Sequence, residues 1–213
     1  MPEIILMSDP RVAAIPVEDR TEPLVDVRAA LRTDTLCEDA TGAYAHLREE
    51  VLTRLLTAQA HLPDGLRLLF VEGHRPLALQ RAYFEEYSAE LRTAHPDWPP
   101  ARVHTAASRY VSPPDIAPHS AGAAVDLTLV TADGEQLDLG TRINASPEES
   151  DGACYTDAAN ITGAARENRR ILAEALRAAG LVNYPTEWWH WSYGDRYWAL
   201  VTGAPRALYG PRE

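Results

Sequence analysis

Between residues 44 and 60 the apolar side chains Leu47, Val51, Leu52, Leu55 and Leu56 recur three and four positions apart, the period of a helix with one buried face. Pro63-Asp64-Gly65 is turn chemistry and ends it. Residues 66–71 form a short apolar run between that turn and Gly73, which reads as a buried strand. Pro76 suits the first turn of a second helix, carried through Ala78, Tyr83, Phe84, Tyr87 and Leu91 and stopped by Pro96, Pro99 and Pro100. Residues 101–118 read as irregular, residues 123–130 as a strand, and Asp133-Gly134 as a hairpin turn after it. The small, polar residues 144–162 read as loop. A third helix fits residues 164–179, with Ile171, Leu172, Ala175 and Leu176 on one face and Gly180 as its stop. Residues 188–193 are aromatic and strand-like. Pro2, Pro10, Pro16 and Pro23 predict an extended N-terminal segment over residues 1–23, ahead of one domain spanning 24–213. Helices and strands alternate irregularly and the strand links include a hairpin. The pattern predicts a single α+β domain with a mixed, mostly antiparallel central sheet flanked by helices.

The 213 residues suffice for one domain with a real core. A formal net charge of -11 repels phosphate backbones and anionic lipid, which argues against nucleic acid and membrane as partners. No run of about 18 apolar residues is present to span a bilayer. The first residues lack the basic start and apolar stretch of a signal peptide, so the expected location is the cytoplasm. Cys37 and Cys154 are far apart and neither sits in a C-x-x-C pair; both are expected as free core thiols, and a cysteine-rich zinc site is excluded.

Three segments concentrate chemistry: residues 71–76, residues 118–126 and residues 187–191. Asp126 interrupts an apolar strand, where an ionised carboxylate needs an ion partner or a metal. Taken alone, it reads equally well as a salt-bridged or edge-strand aspartate. His119 lies seven residues earlier, an odd spacing that puts the two side chains on opposite faces of any continuous strand. They converge only if His119 occupies a turn, for which Ser120-Ala121-Gly122 is suitable material. His190 sits among Trp188, Trp189 and Trp191, and by itself reads as a core histidine. Glu187, just before that aromatic run, occupies a position where burial raises a carboxyl pKa toward that of a general base.

Together, two imidazoles and one carboxylate supply three zinc ligands and leave a fourth position for water, whose proton a nearby carboxylate accepts. This predicts one Zn²⁺ per chain on His119, Asp126 and His190, with Glu187 as base. Glu187 and His190 are three apart, so the chain must bend or bulge at Trp188-Trp189, or Glu187 must precede the strand. Arg75, at the end of the buried strand 66–71, can stabilise an oxyanion; alone, it fits a structural ion pair equally well.

These segments resemble the zinc D-alanyl-D-alanine dipeptidases of the VanX type, within a wider group of D,D-carboxypeptidases that share the hedgehog-like peptidase fold. The family's S-x-H-x-x-x-x-x-x-D motif is matched at His119 and Asp126, and its E-x-W-H motif at Glu187 and His190 with Trp189 between. Its Tyr-Arg-Pro element appears as His74-Arg75-Pro76. Further likeness runs through residues 25–28, 137–141 and 168–170, and through Gly180-Leu181 before Tyr184-Pro185. The resemblance implies a hydrolase acting on a short D,D-peptide. Arg75 would stabilise the transition state, and Glu187 would act as base and then acid.

The departures fall at substrate-contact positions. Ala117 stands where the motif has serine, and His74 where the element has tyrosine. An aspartate placed near the substrate's amino end falls on Asn144, and a tyrosine on Ala29. His74, Ala117, Ser120, Asn144 and Trp189 are therefore the candidate substrate shell. The metal set is complete while the subsite for the amino end is altered. Two other functions compete: a D,D-carboxypeptidase acting on a peptidoglycan stem peptide, and a non-catalytic zinc module that binds a peptide or protein. The presence of both Glu187 and Arg75 weighs against the latter, since a structural metal site needs neither.

Overall fold

The structure, a computed structural model, describes residues 4–212. The first elements are α1 (Pro10–Ala13), β1 (Leu24–Asp26), β2 (Arg32–Thr33), β3 (His46–Arg48) and α2 (Glu49–His61). They continue as β4 (Leu66–Glu72), α3 (Leu77–Ala94), α4 (Pro100–Ala107), β5 (Ala124–Thr131) and α5 (Gly163–Ala178). The last are β6 (Val182–Asn183), β7 (His190–Ser192) and α6 (Arg196–Thr202). A five-stranded sheet runs in the order β2-β4-β5-β7-β6; β2 is parallel to β4 and the remaining pairs are antiparallel. β1 and β3 form a separate antiparallel pair. This is the mixed α+β sheet that the sequence predicts.

One face of the sheet packs on α2 and α5. Leu68 and Phe70 of β4 and Leu127 and Leu129 of β5 meet Leu55 of α2, Leu172 and Leu176 of α5, and Trp189 and Trp191 in one buried cluster. Each such side chain contributes roughly 1.5–3 kcal/mol when fully buried. α5 starts at Thr162, whose hydroxyl accepts from the Ala165 N–H, and stops where Gly180 turns left-handed at φ +83.

Several boundaries differ from the sequence expectation. The apolar period over 44–60 starts a helix only at Glu49, because residues 46–48 are drawn into strand pairing with β1. Residues 101–118 are not all irregular. α3 ends at Ala94, just ahead of Pro96, and Pro99 and Pro100 instead start α4, which buries Val103, Ala106 and Ala107 against Tyr87 and Leu91; two turns carry too few apolar positions to show a period. After β5 the chain turns tightly at residues 131–135 but returns as a single bridge, Val130 to Gln136, and not as a second strand. Residues 188–193 yield only the three-residue β7. The N-terminal segment is not simply extended. Asp9 caps α1, and Met7 and Val12 are buried with Ile116, Tyr184 and Tyr197. Residues 1–3, including Pro2, lie outside the described residues.

Candidate metal centre and substrate cavity

The centre is built on the sheet face opposite the core. Cross-strand register aligns Asp126 with His190 of β7 on one side and with Glu72 of β4 on the other, so three polar side chains form one row across three strands. Even spacing would put Glu72 on the same face as Phe70. A β-bulge prevents this: Phe70 pairs with Leu127 and Glu72 with the adjacent Asp126, leaving Val71 as the extra residue. One inserted residue flips every side chain beyond it to the other face. Glu72 thereby joins the polar row while Phe70 stays in the core.

His119 reaches the row from a turn. Its carbonyl accepts from the Gly122 N–H at 2.9 Å, and Gly122 adopts φ +65. That left-handed backbone favours glycine, and a Cβ there would also displace the Leu24 side chain, whose Cδ2 would lie 2.3 Å away. The odd spacing between His119 and Asp126 is resolved in this way. Glu187 precedes β7 in a second turn, with its N–H on the Tyr184 carbonyl at 2.9 Å and its carbonyl accepting from the His190 N–H at 3.2 Å. It therefore sits ahead of the strand, one of the two arrangements anticipated.

His119 Nε2, His190 Nδ1 and Asp126 Oδ1 converge, at 3.1 Å between the imidazole nitrogens, 3.1 Å from His190 to Asp126 and 3.3 Å from His119 to Asp126. His119 Nδ1 donates to the Gly73 carbonyl at 2.7 Å, which fixes the tautomer and turns the Nε2 lone pair toward the other two atoms. With His119 neutral, at most one proton, on His190 Nδ1, can serve these three contacts. A cation among them satisfies all three at once. Tetrahedral zinc, with ligand bonds of about 2.0–2.2 Å, sets its ligand atoms about 3.3–3.5 Å apart. The donor set and its spacing therefore fit zinc.

All three residues are at most 4% exposed. Burial opposes Asp126's charge, but the two imidazoles outweigh it and hold the carboxyl far below the usual carboxylate range. Glu187 lies 3.8 Å from His190 Nδ1 and shifts oppositely. Burial first, and then the Asp126 charge, push it well above the usual range, against the pull of Arg75. Arg75 is held in a fork: Nε donates to Glu72 Oε1 at 2.7 Å, Nη2 to Glu72 Oε2 at 2.5 Å, and Nη1 to Gln80 Oε1 at 2.9 Å. The Tyr83 ring lies 5.1 Å from the guanidinium carbon.

A cavity of about 620 Å³ opens over this row, and Arg75, His119, Asp126, Glu187 and His190 all line it. Of the five candidate substrate-shell residues only Asn144 also lines it. Ser120 is fully buried and its hydroxyl donates to the Arg75 carbonyl, so it braces the backbone. Ala117 is buried beside the turn, and Trp189 points into the core. His74 lines a smaller adjoining hollow with Glu38 and Asp39, where burial lowers its pKa to about 4 and leaves the ring neutral. Both cysteines are free, but Cys37 is no core residue. It lines the cavity, with its thiol 3.7 Å from Asn144 Nδ2.

Sequence reasoning missed Glu72, Tyr83, Tyr110 and Arg142 as cavity residues. Glu72 alone carried a signal, a charge closing an apolar strand three residues before an arginine.

A mixed α+β domain with a two-histidine, one-carboxylate donor set beside a buried glutamate defines a zinc metallopeptidase. Residues 24–202 match the family Peptidase_M15, described as D-ala-D-ala dipeptidase, and the chain belongs to that family. It is similar to the D-alanyl-D-alanine dipeptidase of Synechocystis sp., at 27% identity over 87% of each chain. The dipeptidase of the same name from Enterococcus faecium is 29% identical over 62% of this chain and 64% of its own. Among solved structures the LdcB LD-carboxypeptidase superposes with a TM-score of 0.50 at 17% identity, covering 89% of this chain and 77% of that one, which is a likeness of fold. Among the described residues no helix is long and apolar enough to cross a membrane.

Proposed function

We propose that the protein is a zinc-dependent D,D-peptidase that hydrolyses the peptide bond of D-alanyl-D-alanine. Family membership and the dipeptidase relatives support the substrate class. The observation that carries the chemistry is the convergence of His119, Asp126 and His190 within 3.3 Å, with Glu187 3.8 Å from His190 Nδ1.

In this reading His119 Nε2, Asp126 Oδ1 and His190 Nδ1 hold the ion. Zinc held there would lower the pKa of a water and polarise the scissile carbonyl. Glu187 takes the water's proton, a task suited to a carboxyl whose burial has raised its basicity, and returns it to the leaving amine. Arg75 presents a fixed cation to the oxygen that gains charge. Its fork to Glu72 sets its direction before substrate arrives, so no reorganisation is needed as the charge develops.

The test is D-alanine release from D-Ala-D-Ala by the zinc-loaded protein, beside a Glu187→Gln variant. The reading expects hydrolysis by the parent and its loss in the variant, with zinc content equal in both. A parent that binds zinc yet cleaves no D,D-peptide would instead be a binding module.

A further inference from the structure

We infer that Arg48 is a positioning residue of the metal centre: its buried guanidinium, completed by both ends of the chain, holds the turn that presents His119. This rests on the zinc-peptidase reading above and concerns the centre's affinity for its ion. Asp126 and His190 lie in β5 and β7, where register holds them. His119 lies in a turn, which keeps its shape only through its own hydrogen bonds and those it receives from outside. The three carbonyls that follow His119 all accept from outside. That of Ser120 accepts from the Arg212 N–H at 2.7 Å, that of Ala121 from Arg48 Nε at 2.8 Å, and that of Gly122 from the Arg48 N–H at 2.9 Å. Arg48 thus grips two adjacent peptide units, one with its side chain and one with its backbone.

The Arg48 side chain is fully buried, and all five of its N–H groups have acceptors. Besides the Nε contact, Nη1 donates to the Glu22 carbonyl at 2.8 Å and to Asp19 Oδ1 at 3.3 Å. Nη2 donates to Asp19 Oδ2 at 2.9 Å and to the Gly210 carbonyl at 3.4 Å. Asp19 also accepts from the Gly210 N–H at 3.0 Å, across 191 positions of sequence. The Tyr209 ring lies 4.9 Å from the guanidinium carbon, and its hydroxyl donates to Glu22 Oε2 at 2.9 Å. The two chain ends therefore close around one cation whose remaining donor goes to the metal-bearing turn. Lysine, with three donors and no fixed fork, cannot serve both sides.

Held in this way, the turn is ordered before the ion arrives, and little conformational entropy is left to lose on binding. Released, the turn would have to be ordered by the ion, and the affinity would fall by that cost. The coupling is reciprocal: whatever the chain ends add to zinc affinity, bound zinc adds to their attachment.

The experiment measures the zinc dissociation constant of the full chain by competition with a chromophoric chelator. It compares the parent with Arg48→Met, Arg48→Lys, Arg212→Pro and Arg212→Ala, and far-UV circular dichroism checks the fold of each. Asp19 is 29% exposed, so its carboxylate stays solvated when Arg48 is removed. Arg48→Met and Arg48→Lys should each bind zinc about 10- to 100-fold more weakly, the range for groups that orient metal ligands. Arg212→Pro and Arg212→Ala both lose the side chain, and only the first loses the N–H on the Ser120 carbonyl. The proline variant should bind about two- to tenfold more weakly than the alanine variant, the scale of one hydrogen bond. On the parent, zinc should slow amide hydrogen exchange over residues 207–212 by about tenfold, and leave the Gly134 N–H, in the turn beyond β5, unchanged. Parent-like zinc affinity in a folded Arg48 variant, or exchange over residues 207–212 that ignores zinc, overturns the inference and leaves the zinc-peptidase reading standing. If neither Arg48 variant folds, the Arg212 pair decides, and equal affinity in the two overturns the inference. A parent that binds no zinc overturns both.

Discussion

The floor and the outer wall of the cavity are made differently. The floor consists of strands and tight turns. Glu72, Asp126 and His190 are set side by side by strand register, and His119 and Glu187 are held in turns closed by backbone hydrogen bonds. The wall is one helix face opposed by the coil around residues 142–149, and its acidic side chains are exposed. Hydrogen-bonded β structure fixes donor atoms to within a few tenths of an ångström, as metal and proton chemistry demand. A helix face with solvated side chains sets charge and width, which is enough to choose among substrates. The two regions can therefore change independently: here the floor has a complete donor set, while the wall lacks a free carboxylate next to the centre.

The largest effects should come from the floor. Glu187→Gln is expected to lower kcat by about 10²- to 10⁴-fold, the usual contribution of a general base, with zinc retained; steady-state kinetics and metal analysis together check it. Arg75→Ala should cost about 10²- to 10³-fold in kcat, comparable to deletion of an oxyanion donor, and little in KM. An equal rise in KM at unchanged kcat would move Arg75 from the reaction to substrate binding. Gly122→Ala should destabilise the protein by about 1–3 kcal/mol in denaturant melts, because the new Cβ meets Leu24 in a left-handed backbone. Loss of activity should accompany it through His119.

At the wall the effects are smaller. Asn144→Asp restores a carboxylate beside the centre and should improve kcat/KM for the free dipeptide, relative to its acetylated form, by about 1–3 kcal/mol of discrimination. Cys37 gives the mildest test. Burial, then the charges of Glu72 and Asp126, push its thiol up to about 12. A raised thiol pKa favours the neutral form, so at pH 8 only about one molecule in ten thousand is thiolate. Iodoacetamide should label Cys37 very slowly at pH 8 and about tenfold faster for each unit of pH above it. Fast labelling near neutrality would contradict the account of the cavity's polarity.

What was legible in the sequence divides along the same line. Asp126 in an apolar strand, and Glu187 ahead of an aromatic run with His190, are local anomalies, and the α+β pattern followed from periods that α2, α3, α5, β4 and β5 display. The odd spacing of His119 and Asp126 calls for a turn between them, and Gly122 supplies it. Substrate contacts were harder. Ser120 and Trp189 flank motif residues in the chain, yet alternation and turn geometry send them into the interior. Glu72 shows as a charge closing an apolar strand, but its face is not legible because a bulge, which leaves no mark on hydrophobic period, decides it. Glu86 and Glu90 look like any solvated helix face until the opposite wall is in place. α4 is hidden because Pro99 and Pro100 read as a helix stop, whereas Pro96 already follows the end of α3 and Pro100 takes the first position of a new helix.

The most direct measurement is zinc stoichiometry of protein purified without chelator, on the parent and on the His119→Ala and Glu187→Gln variants. The account predicts about one equivalent in the parent and in Glu187→Gln, and a large loss of affinity in His119→Ala. A parent that takes up no zinc, or a His119→Ala variant that holds it as tightly as the parent, would contradict it.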